Sequence, residues 1–178
     1  MASSFRTDPL LATARTFLSF IITLVIIAMA GVALAIPAVV IWRGAIIATL
    51  VEQNGAVAHP GALILSFVAI LALGLAILFC GYRMFLLLRR IVDSVAEGDP
   101  FVPENAERLR AMGWLAIAGQ LIGVPAAIIG GWIAFTVKNV DFDFGISLGG
   151  LLLALTLFIL ARVFQQGAAM RNDLEGTV

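Results

Sequence analysis

Four tracts without a single Asp, Glu, Lys or Arg, at residues 17–41, 62–82, 114–135 and 145–161, constrain this chain more than any other feature. The first contains 25 residues, which as a helix rising about 1.5 Å per residue exceeds a hydrocarbon core of about 30 Å. Inside a bilayer the backbone must satisfy its own polar groups, and a helix does so within one segment. Composition agrees, because 62% of the residues are hydrophobic and 12% charged, against about 25% charged in soluble domains. The chain therefore reads as all-α: a polytopic membrane protein with four transmembrane helices and cytosolic helical extensions, forming a single membrane domain over residues 1–178.

The charged interruption at residues 83–113 sets the organisation. A helix from Gly61 to Ala96 is about 54 Å long and projects about 24 Å beyond the hydrocarbon. On the projecting part Met84, Leu88, Ile91 and Val95 share one face, with Arg89, Arg90, Asp93, Ser94 and Glu97 on the other. Gly98 supplies a stop and Asp99-Pro100 prevents continuation. Pro103 suits a first helical position, followed by Glu104 and Glu107 near the positive end of the dipole. The pattern predicts a helical hairpin outside the membrane, across which Arg108 and Arg110 reach Asp93 and Glu97. Exposed ion pairs contribute only about 0–1 kcal/mol each, so Leu109 and Met112 are expected to matter more.

Before the first tract, Asp8 is placed to cap a helix that Pro9 begins. Ala33-Leu34-Ala35 resembles a cleavage site, but the apolar tract outruns the 7–15 residues, roughly, of a signal-peptide core, so the span is read as retained. Pro37 kinks its outer end, and Trp42 with Arg43 marks the interface. Ile46, Ile47, Leu50 and Val51 then fall on one helical face that ends at Asn54-Gly55 and is expected to lie flat on the membrane. Glu52 and His59 are two groups without a third and leave most of a metal's coordination shell empty.

Trp114 and Trp132 are 18 residues apart, about 27 Å along a helix, and so suit the two interfaces of the third span. Gly119, Gly123, Ala126 and Gly130 form one face of small residues that admits a neighbouring helix closely. Gln120 is read as an intramembrane polar contact and Pro125 as a tolerated kink. Residues 138–144 read as an outer loop anchored by Phe142 and Phe144. After the fourth span the helix is expected to continue, with Val163, Gly167, Met170 and Leu174 on one face.

Orientation follows from the eleven Lys and Arg residues, of which only Arg43 and Lys138 fall on the outer side when both termini are inside. The other nine sit on the cytosolic face of an inner membrane. That face also carries Asp8, Asp93, Glu97, Asp99, Glu104, Glu107, Asp173 and Glu175, so it lacks the net basic patch that direct nucleic-acid binding needs. Cys80 and His59 are each the sole residue of their type, which leaves no disulfide and no cysteine metal cluster. The spans offer as polar groups Ser19, Thr23, Ser66, Cys80, Gln120, Ser147 and Thr156, without an acid-base pair, so neither an enzyme nor a cofactor is expected.

Gly98-Asp-Pro-Phe-Val-Pro-Glu-Asn-Ala-Glu-Arg-Leu109 and the closing Phe164-x-x-Gly167-x-x-Met170-Arg-x-Asp-Leu-Glu-Gly-Thr-Val178 resemble the bacterial membrane family catalogued as domain of unknown function 2975. The resemblance covers essentially the whole chain and implies four helices with no assigned activity. Members are often encoded beside a small Cro/CI-like helix-turn-helix regulator, which implies by association a role in membrane-linked control of transcription. The leading reading is thus a signalling or interaction protein embedded in the lipid bilayer. Arg89, Arg90, Asp93, Arg108, Arg110, Met170 and Leu174 are its candidate docking residues for a cytosolic regulatory protein, and a homo-oligomer is compatible with the small-residue face. The alternatives are a transporter or channel subunit for a small molecule or ion, and a structural accessory protein.

The basic asymmetry generates a labelling experiment. In a Cys80→Ala background, cysteines at Asn54 and Asn139 are expected to react with a membrane-impermeant thiol reagent in intact cells, and one at Asn105 is not. Reaction at Asn105 overturns the orientation.

Overall fold

The computed structural model describes residues 9–55, 59–137 and 145–175, with backbone alone at 54 and 172–175. Its elements are α1 (Pro9–Ile41), α2 (Arg43–Asn54), α3 (Pro60–Ala96), α4 (Pro103–Thr136) and α5 (Leu148–Glu175), with no strand among the described residues. Four of these helices, α1, α3, α4 and α5, are long and apolar enough to cross a membrane.

Local chemistry places the helix ends. α1 begins at Pro9, where a missing N–H costs nothing; its expected cap, Asp8, lies outside the described residues. Pro37 is accommodated inside α1, which runs on to Ile41. α2 stops at Gly55, whose φ of 85° suits a residue without a β-carbon. The end of α3 is a complete Schellman motif: Asp99 N–H donates to Ser94 O at 3.2 Å and Gly98 N–H to Val95 O at 3.0 Å, with Gly98 at φ 92°. Pro103 then opens α4.

Hydroxyls within the apolar helices are satisfied by the helix that carries them. Ser19 donates to Arg15 O at 2.8 Å, Thr23 to Ser19 O at 2.9 Å, Ser66 to Ala62 O at 2.9 Å and Thr156 to Leu152 O at 2.8 Å. Such back-bonding lets a polar side chain sit in an apolar span without a partner helix.

The chain divides into two compact units. One comprises the described residues within Met1–Val25, Cys80–Ala118 and Leu148–Val178. Its core is Ile91 from α3, Leu109 and Met112 from α4, and Leu157 and Ala161 from α5, with Met84, Leu87, Leu88 and Phe164 packed around it. The apolar face of the hairpin therefore packs on the Leu157, Ala161 and Phe164 side of α5, whereas Val163 and Met170, from the α5 face expected from the sequence, are exposed. In water each such side chain contributes about 1.5–3 kcal/mol when fully buried, which outweighs any exposed ion pair. α4 and α5 approach closely at Gly113, where a β-carbon would lie 2.9 Å from the Phe158 ring. The same ring meets Trp114 edge-on at a centroid distance of 5.5 Å.

The other unit comprises the described residues within Ile26–Phe79 and Gly119–Ser147. Leu63 of α3 packs with Ile133 of α4 and with Val137, and Leu50 of α2 closes over them. Ile46, Ile47 and Leu50 are half-buried while Val51 is exposed. The apolar face of α2 thus packs on protein, not on lipid alone as its amphipathic pattern suggested. Of the small-residue face on α4, Gly123, Ala126 and Gly130 are buried. Gly119 is half-buried and has open space where a β-carbon would point. The close neighbour of Gly123 is the backbone of Gly145, whose carbonyl oxygen lies 3.3 Å from where a β-carbon would stand.

Gly123→Leu is accordingly expected to lower the melting temperature in detergent, because backbone stands where its side chain must go. Leu121→Ile, at a site 65% exposed, is expected to leave it nearly unchanged. Equal melting of both variants and the parent would show that Gly123 is not a packing contact.

Candidate interaction site

The turn between α3 and α4 is built around one amide. Asn105, with an exposure of 0%, donates from Nδ2 to Ser94 Oγ at 2.7 Å and to Pro100 O at 2.9 Å. Its Oδ1 accepts from Arg108 Nη1 at 2.7 Å. The Ser94 hydroxyl donates to Ile91 O at 2.8 Å, and Arg108 Nη1 also donates to Arg90 O at 3.2 Å. This one side chain thereby joins the last turns of α3, the connecting loop and the first turns of α4. A buried amide is tolerated in such a place because its hydrogen bonds are made.

The loop is next fixed to α5. Phe101 stacks at a tilt on Phe164, with centroids 5.5 Å apart. Its ring occupies the space above Gly167, where a β-carbon would stand 2.6 Å from Phe101 Cδ1. Asp99 pairs with Arg171 beside this contact. Arg110 donates to Gln165 Oε1 at 3.3 Å.

The ion pairing differs from the sequence expectation. Arg108 turns inward to Asn105 and the Arg90 carbonyl, and Arg110 goes to α5. Asp93 instead lies 2.9 Å from Nε of Arg15 on α1. Its Oδ1 is buried, and the arginine N–H is not aligned on it, so the contact is an ion pair without a hydrogen bond. The pattern along the hairpin missed these partners because they are a neutral amide one turn away, a backbone carbonyl, and residues on elements remote in sequence.

The candidate docking residues fall as follows. Arg90, Asp93 and Arg108 border one cavity of about 320 Å³ with Ser94 and Glu97. Arg110 borders another, of about 250 Å³, with Glu107 and Gln165. Arg89 is half-buried and Met170 is 63% exposed. The side chain of Leu174 lies outside the described residues. Arg90, Glu97, Glu104, Glu107 and Arg110 present exposed charges of both signs. No group of three His, Cys, Asp or Glu side chains among the described residues is placed to hold a metal ion.

Asn105 and Phe101 are the residues that sequence reasoning passed over. Their signal was position: an amide in the first turn after Pro103, and an aromatic ring in an otherwise polar turn opposite a glycine on α5. A family model described as "Protein of unknown function (DUF2975)" matches residues 45–178. No curated protein and no solved structure matches the chain.

Asn105→Ala would remove the donor to Ser94 Oγ and to the Pro100 carbonyl and one of the two acceptors of Arg108 Nη1. A buried polar group left unsatisfied costs about 1–3 kcal/mol, so a clear fall in detergent melting temperature is expected, whereas Glu104→Ala, one exposed residue away, changes little. Melting of Asn105→Ala like the parent would remove the amide from its central role. The same burial makes exposed Glu104 the better position for the inward labelling probe.

Proposed function

The chain belongs to the DUF2975 family of proteins of unknown function, and on that premise we propose that it is a multi-pass inner-membrane interaction protein that holds a soluble helix-turn-helix transcriptional regulator at its cytosolic face. The observation that carries this reading is the convergence of the two family-like stretches. Residues 98–109 and 164–171 fold against each other through Phe101, Phe164, Gly167 and the Asp99–Arg171 pair. The chain thus devotes its two motifs to building one shaped helical layer beyond its apolar spans.

Within that layer the apolar face of the hairpin is covered internally, so the docking surface is the charged rim. Arg90 and Arg110 are exposed cations of that rim, beside the Asp99-paired Arg171, and Glu97, Glu104 and Glu107 are exposed anions. Charges so placed govern which partner is accepted more than how tightly it is held. Met170 adds an exposed apolar contact of the adaptable kind. The mixed signs favour a protein partner over nucleic acid, whose phosphates require net positive charge. Serine and threonine hydroxyls bonded to their own helices support a non-catalytic role.

Arg90→Glu with Arg110→Glu tests the rim without touching the Asn105 hub, since Arg108, which the hub uses, is left in place. The double variant is expected to reach the membrane and melt like the parent, yet to release a co-expressed helix-turn-helix regulator into the soluble fraction. Regulator that stays with the folded variant removes this rim from the surface. Regulator that is equally soluble with and without the parent protein overturns the docking reading.

A further inference from the structure

The start of α5 stands in an unexpected place. Ser147 N–H donates to Gln120 Oε1 at 2.7 Å, and the Gly145 carbonyl lies against Gly123. The preceding described residue, Val137, packs with Leu63 and Ile133 at the far end of α4. Between Gly123 and Thr136 α4 rises about 20 Å, so Gly145 stands about that far back along α4 from Val137. A fourth span starting at the outer face would instead put Ser147 beside Phe135.

Depth follows from the tryptophans. Gly123 lies midway between Trp114 and Trp132 in the sequence, so the backbone of residues 145–147 sits near the middle of the third span. Non-helical backbone at that depth is tolerated where protein buries it or where it lines water. Gly145, Ile146 and Ser147 are all exposed, so protein does not bury them. We infer that residues 145–147 form a water-accessible polar break inside the membrane layer, anchored by Gln120, and that α5 starts from this break and not from the outer surface. Gln120 is the positioning residue: it fixes the break by accepting from the Ser147 amide. Discontinuous elements of this kind are what transporters use to present backbone polar groups to a solute.

Two measurements in native membranes, in a Cys80→Ala background, decide it. Gln120→Cys with Ser147→Cys is expected to be joined by a short bifunctional thiol reagent, and Phe135→Cys with Ser147→Cys is not, because Phe135 lies about 22 Å further along α4. Gly119→Cys with Ile146→Cys repeats the test with Gln120 intact, at a glycine that has room for a side chain. Joining of the Phe135 pair, or of neither near pair, overturns the placement. In permeabilised membranes, Ser147→Cys alone is expected to react with a charged thiol reagent at least tenfold faster than Leu121→Cys, an exposed position at the same depth. Equal or slower reaction shows a dry break and overturns the water access.

Discussion

The unit that contains the α3–α4 hairpin depends on the hydrogen bonds of the Asn105 amide. Remove its two donations and one acceptance, and the end of α3, the turn and the start of α4 lose their common partner. The Schellman motif ends α3 and Pro103 opens α4, but neither sets the distance between the two arms. Asn105 does, because Ser94 and Pro100 must both lie within reach of one nitrogen. The apolar core of Ile91, Leu109 and Met112 can then close against Leu157 and Ala161.

Helix type and helix ends were legible in the sequence because they rest on local chemistry. Pro9, Gly55, Gly98 and Pro103 each mark a boundary by restricting or freeing a few dihedral angles, and the helices begin or end where these residues stand. The long third helix was legible from unbroken periodicity. Partner choice was not. Arg108 could be assigned a carboxylate from spacing along a hairpin, yet its nearest acceptors are an amide and a backbone carbonyl, which carry no charge pattern to read. Arg15 and Asp93 meet across elements whose separation along the chain hides the contact. The return of the chain to Gln120 was equally hidden, because composition reports the length of an apolar tract and not its depth.

Glycine serves two different purposes here. At Gly55 and Gly98 it supplies a left-handed backbone conformation that ends a helix. At Gly113, Gly123 and Gly167 it supplies absence, since a ring or a carbonyl fills the space of the missing β-carbon. Gly119, with the same spacing on the same helix face, serves neither purpose. Spacing alone therefore does not separate a packing glycine from an idle one.

The fit of Phe101 over Gly167 carries a consequence for how such sequences drift. The ring and the vacant position share one volume, so a larger residue at 167 is admissible only where 101 has shrunk, and the opposite exchange leaves a hole. Asp99 and Arg171 add a second linked pair, in charge instead of size. A change at Phe101 or Gly167 therefore alters what fits at the other, and contact ties together two stretches of chain that lie far apart in sequence.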